Sequence, residues 1–141
     1  MTKTLQRRDP AALDNVPADL RALPQWVCWA ADKMPICPAT GRAAKANDST
    51  TWGTLAQALA RYRGDDALFG VGIELGRPLV GIDLDGAAPS GELEPWAPAI
   101  LERFPTYAEW SPSGTGGHIL LLAPAAPPSV TVAGSTCKVS K

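Results

Sequence analysis

In the stretch RPLVGIDLDGA, residues 77–87, an apolar run ends in two aspartates one residue apart, Asp83 and Asp85, and breaks on a glycine. Side chains alternate along a strand, so Asp83 and Asp85 are expected on one face with Gly81, while Val80, Ile82 and Leu84 pack from the other. Two carboxylates a strand repeat apart, roughly 6 to 7 Å between their Cβ atoms, repel each other unless a cation sits between them. A pair of Mg²⁺ or Mn²⁺ ions, about 3.5 to 4 Å apart as in phosphoryl-transfer sites, meets that demand. The alternative is a strand end whose aspartates cap a turn, because Asp-Gly favours turns and D-x-D is short and common.

A second stretch, SPSGTGGHI at residues 111–119, packs small residues and glycines into a loop whose amides could turn toward an anion. It delivers His118, the only histidine of the chain, to the start of an apolar strand. A polyphosphate suits such a loop. The alternative is a hairpin connection followed by a histidine satisfied in the core.

The elements that must position these residues fit one domain: 141 residues bury a single hydrophobic core. Acidic and basic residues nearly cancel, 14 against 13, so no global basic field coats nucleic acid or an anionic membrane, and any polyanion must be gripped locally. Three cysteines at unpatterned spacings argue against a disulfide framework or a zinc ribbon. With no apolar run of membrane-spanning length and no apolar stretch of the signal-peptide kind, the expectation is a cytoplasmic protein that meets no membrane.

Along the chain, residues 1–14 read as a flexible lead-in, and NVPADLRAL as a short helix closed by Pro24. QWVCWA has strand composition, and the Gly/Pro/Lys-rich run after it reads as a long loop. TTWGTLAQALARYR is the clearest helix, with Trp52, Leu55, Ala56 and Leu59 as its buried face and Gly64 at its end. FGVGIEL and LVGIDLD read as a hairpin, EPWAPAILERF as an amphipathic helix with Pro95 in its first turn, and TYAEW and HILLLA as two more strands. The sum is α+β, helices against one face of a largely antiparallel sheet. In the last segment SVTVA has strand character, and nothing after it reads as an element. The tryptophans Trp26, Trp29 and Trp52 have base-stacking chemistry, but at these positions core packing is the commoner role.

In their order, WVCW, MPICPATGRAAKANDSTTW, GVGIELG, VGIDLD and PWAPAILERFPTYAEWSPSGTGGHI resemble the N-terminal primase-polymerase domain of phage and plasmid replication proteins, within the archaeo-eukaryotic primase superfamily. The resemblance covers roughly residues 15–124, leaving 125–141 as an atypical tail expected to be disordered. It implies a modified RNA-recognition-like core, incomplete at its C-terminus, and metal-dependent templated nucleotidyl transfer in DNA replication. It also implies that Asp83 and Asp85 bind Mg²⁺ or Mn²⁺ and that His118 contacts the triphosphate, with Ser111, Ser113 and Thr115 as nearby candidates. Arg42 and Lys45 are candidates for local charge toward phosphate or template, against the plainer role of a solvated loop. The implied partners are nucleoside triphosphates, a single-stranded DNA template and a replicative helicase. The family's third acidic ligand lies on a later strand, whereas no Asp or Glu follows Glu109 here, so the expectation is a C-terminally truncated member, from a prophage remnant or a frameshift.

Two other functions remain open. One is a catalytically inactive remnant that binds nucleotide or single-stranded DNA through the retained half-site. The other is a haloacid-dehalogenase-type phosphatase, since VGIDLDG also resembles that nucleophile motif, with Asp83 as nucleophile and Asp85 as acid/base. That chemistry needs a downstream lysine and further aspartates, but the next lysine is Lys138 and no aspartate follows Asp85.

Overall fold

The computed structural model describes residues 10–111 and 113–123, with the backbone alone at 10–12, 130–132 and 137–140. Most of the lead-in and much of the expected tail lie outside the described residues; Pro10–Asn15 forms a 3₁₀ turn. The fold is α+β with two small antiparallel sheets where one was expected, and it divides into two compact units, Met1–Glu74 and Leu75–Lys141. No helix among the described residues is long and apolar enough to cross a membrane.

In the first unit, α1 (Ala18–Arg21) buries Leu20 and leads into β1 (Trp26–Ala30). β1 is the middle strand of three, between β2 (Pro35–Ile36) and β3 (Leu68–Ile73). β2 and a 3₁₀ turn at Ser49–Thr51 give order to the stretch read as loop. The helix α2 spans Leu55–Gly64, later than the sequence pattern suggests, because Thr54 and Gln57 close a capping box at its start. Its buried face is Ala58 and Tyr62, with Leu55 and Leu59 half-buried, while Ala56 faces solvent. The fully buried Cys28 donates its thiol to the Ala58 carbonyl at 3.2 Å, tying β1 to α2. Opposite alternation sends Val27 against Cys37 and Ala44, with Trp52 packed alongside. Trp26 is buried and donates its indole N–H to the Leu20 carbonyl at 3.3 Å, so it packs in the core, whereas Trp29 is half-buried beside Phe69.

Among the described residues the second unit is a five-stranded sheet in the order β5–β6–β4–β8–β7 with one helix. Its strands are β4 (Leu79–Leu84), β5 (Tyr107–Trp110), β6 (Gly117–Leu122), β7 (Val130–Val132) and β8 (Cys137–Ser140). The expected β3–β4 hairpin is not formed: the two strands belong to different sheets. Both runs alternate, but each is completed by another partner, β3 by β1, and β4 by β6 and β8. Between them the Glu74 amide bonds back to the Gln25 carbonyl, and Leu79 closes a turn onto Gly76. The strand β8 is a second correction, since Cys-Lys-Val-Ser carries no strand signal of its own and its conformation follows from pairing along β4.

The helix α3 (Ala97–Arg103) begins after Trp96, so Pro98, and not Pro95, occupies its first turn. It covers one face of the sheet, where Ile82, Leu84, Ala87, Ala97 and Ile119 form a core flanked by Trp96, Ile100, Leu101 and Leu121. Burying a leucine or isoleucine here contributes about 1.5–3 kcal/mol apiece. That core holds β4 and β6 in fixed register, and the register places the site.

Candidate nucleotide-binding site

On the face of the sheet away from α3, residues two apart along β4 are Leu79, Gly81 and Asp83. The first two are buried, with the Leu75 side chain lying over Gly81, so the face is apolar at one end and opens at Asp83. β4 stops at Leu84. Strand alternation therefore reaches Asp83 only, and Asp85 begins the turn in which the Ala87 amide bonds to the Leu84 carbonyl. The expectation of both aspartates on one strand face is thus corrected: β4 ends after Leu84, so Asp83 alone lies on that face, and Asp85 opens the Asp-Gly turn.

Register then sets Asp83 opposite His118, and His118 opposite Glu109, in one row across β4, β6 and β5. His118 Nε2 lies 3.6 Å from Asp83 Oδ1, and His118 Nδ1 lies 3.6 Å from Glu109 Oε1. The side chains are partly open to solvent, 37% for His118, 41% for Asp83 and 43% for Glu109, so a ligand can reach all three. The Glu109 carboxylate holds the imidazole above its ordinary pKa; burial opposes that shift and the Asp83 charge reinforces it. Glu109 is itself held, since its Oε2 accepts from the Tyr107 hydroxyl at 3.0 Å. Burial, with the Glu109 charge and hydrogen bond added, pushes the Tyr107 phenol up to about 12.

The 111–116 loop joins β5 to β6 beside this row. Ser111 Oγ meets Ser113 Oγ at 3.1 Å, and Ser113 Oγ meets Thr115 Oγ1 at 2.8 Å, a chain of three hydroxyls along the loop. Four of the loop amides bond inside it: Gly116 donates to Ser111 Oγ, Thr115 to Ser113 Oγ, Gly114 to the Ser111 carbonyl and Ser111 to the Gly116 carbonyl. That corrects the expectation of amides turned toward an anion, because serine side chains satisfy neighbouring amides locally. The exposed hydroxyls of Ser113 and Thr115, which rotate to suit a partner, are the groups left to meet one. Gly114 has φ +74°, a left-handed conformation that glycine adopts without strain. A Cβ on Gly116 would stand 2.9 Å from the Leu84 carbonyl oxygen and 3.7 Å from Asp85 Cα, so only glycine lets the loop lie against the end of β4.

Asp83, Asp85, His118, Ser111, Ser113 and Thr115 therefore gather in the second unit. Arg42 and Lys45 belong to the first, both exposed, their backbones tied by Arg42 N–H to Thr40 Oγ1 and Lys45 N–H to Thr51 Oγ1. Sequence reasoning missed Glu109 and Tyr107. The signal was their spacing of two in TYAEW, which puts both on the face of the histidine strand's neighbour that carries His118. Among the described residues, no group of three or more His, Cys, Asp or Glu side chains gathers as a metal site. A cavity of about 200 Å³ lies at this end of the sheet, lined by Leu84, Leu93, Leu101 and Trp110 and reaching Glu109 and His118.

No family model matches the chain. It is similar to a DNA primase-polymerase of Nitratiruptor phage NrS-1, at 34% identity over 107 residues, which is 69% of this chain and 14% of that protein. The similarity supports the primase-polymerase family for this stretch, and the chain spans only that small share of the relative's length.

Proposed function

We propose that the chain is a primase-polymerase domain of the phage and plasmid replication type, whose second unit binds a nucleoside triphosphate for templated, metal-dependent nucleotidyl transfer. The observation that carries this is the Asp83–His118 pair, with the Ser/Gly loop lying against the turn that holds Asp85. Similarity to the phage primase-polymerase supports the same reading.

Asp83 and Asp85 supply carboxylate oxygens at a solvent-open strand end, the donor type that Mg²⁺ and Mn²⁺ take. A divalent ion held there would activate the attacking hydroxyl and offset the charge that develops on the α-phosphate and the leaving pyrophosphate. His118 presents Nε2 toward Asp83 and would hold a phosphate oxygen on that side. The Ser113 and Thr115 hydroxyls would fix the rest of the triphosphate, and orienting it in line is the larger part of such catalysis. Single-stranded DNA is the template in this reading, and a replicative helicase a further partner.

Primer extension with dNTPs and Mn²⁺ tests it, comparing the parent chain with Asp83→Ala. Incorporation that vanishes in the variant supports the assignment, and equal incorporation by both defeats it. The alternative is nucleotide binding without transfer. That reading is met by Mn²⁺-dependent triphosphate binding in calorimetry with no primer extension.

A further inference from the structure

We propose that Glu109 is a positioning residue for His118, fixing which ring nitrogen faces the Asp83 end of the site; its role toward a triphosphate rests on the function proposed above. β5 and β6 form a tight antiparallel pair, and their register puts Glu109 directly across from His118. The carboxylate divides its two oxygens: Oε1 faces His118 Nδ1 at 3.6 Å and Oε2 accepts from the Tyr107 hydroxyl at 3.0 Å. Tyr107 sits two residues before Glu109 on the same strand face, so the phenol restrains the carboxylate from behind. On the other side, Nε2 faces Asp83 Oδ1 at 3.6 Å.

The imidazole is thus flanked by carboxylates from both neighbouring strands, each assigned its own nitrogen. A histidine that contacts a ligand through one nitrogen is oriented by whatever holds the other. Glu109 holds the nitrogen turned away from the Asp83 end, and it acts on a ligand only through His118.

Because His118 is the only histidine, ¹⁵N-histidine labelling of the full chain yields one pair of ring-nitrogen resonances to follow without any ligand. Glu109→Ala is expected to move the Nδ1 resonance more than Nε2, and Asp83→Asn to do the reverse. Equal movement of both nitrogens in each variant, or none, overturns the proposal. With Mn²⁺ and a nucleoside triphosphate, calorimetry should find Glu109→Ala weaker by about 10-fold or more, as for other partners that orient a liganding histidine. Glu109→Gln keeps an acceptor oxygen and should recover most of that affinity, and equal loss in Gln and Ala variants counts against positioning. If the parent chain binds no triphosphate yet the nitrogen-selective response persists, the nucleotide function falls while the positioning role stands.

Discussion

Asp83 and His118 face each other across β4 and β6, with Nε2 3.6 Å from Oδ1. In the proposed function the carboxylate would meet the divalent cation and the imidazole a phosphate oxygen. Replacing either should therefore remove a different part of the same activity. In Mn²⁺-dependent primer extension, Asp83→Asn is expected to abolish incorporation, and His118→Ala to lower it by about 100-fold, the scale of losing one charge-stabilising donor. Unchanged rates in both variants would show that the pair serves another purpose.

Gly116 is where the loop touches β4. An alanine Cβ there would stand 2.9 Å from the Leu84 carbonyl oxygen, closer than real contacts allow, and the obstacle is backbone. Gly116→Ala should push the 111–116 loop away from Asp85 and weaken triphosphate binding. Gly114→Ala is strained by its positive φ but meets nothing within 4 Å, so it should destabilise without the same specific loss. Calorimetric titrations of both variants, beside their urea unfolding curves, make the comparison. Equal binding losses at equal stability would refute it.

Cys28 ties alkaline stability to the first unit. Burial raises its thiol from 9.0 to about 11, although the Arg61 charge pulls the other way. The folded chain thus keeps its proton where the unfolded chain releases it. Stability is full below pH 9 and is lost as pH climbs toward 11, by about 2–3 kcal/mol from this group. Urea unfolding across that range should fall less steeply for Cys28→Ala, after its constant cavity cost is subtracted; parallel curves would exclude the coupling.

The capping box at α2 offers a local test of that unit. Thr54 Oγ1 accepts from the Gln57 amide at 3.2 Å, and Gln57 Oε1 accepts from the Thr54 amide at 3.0 Å. Thr54→Ala removes one bond of the pair and should cost about 1 kcal/mol in denaturant unfolding. Thr54→Ser should cost less. A neutral Thr54→Ala would mean that packing of Ala58 and Tyr62 alone sets where the helix begins.

Periodicity and punctuation made much of the second unit legible. The alternation in LVGIDL identified the core residues Ile82 and Leu84, and TYAEW and HILLLA appeared as strands because apolar runs flank a Ser/Gly loop. The β3–β4 connection was not legible. Alternating runs joined by a short turn look the same whether they pair together or go to separate sheets, and the choice lies in long-range partners. Glu109 was overlooked for a related reason: its spacing of two from Tyr107 marks a shared strand face, but which histidine lies across from it is set by register with another strand. The opposite error concerned the loop amides, whose bonds to the loop's own serines depend on side-chain rotamers that composition does not reveal.

The row Glu109–His118–Asp83 is drawn from very unequal distances along the chain. Bringing Glu109 beside His118 closes only the 111–116 loop, whereas bringing Asp83 beside His118 requires the Asp-Gly turn, α3 and β5 to be in place. Chain-closure entropy grows with the segment enclosed, so the first contact costs less order than the second. β4 is the middle strand and β5 the edge strand, so the short loop that joins β5 to β6 is what keeps Glu109 beside His118, whereas Asp83 is kept there by pairing of its strand on both sides. The two contacts of His118 are therefore secured by different means, one by a short chain closure and the other by the depth of β4 in its sheet.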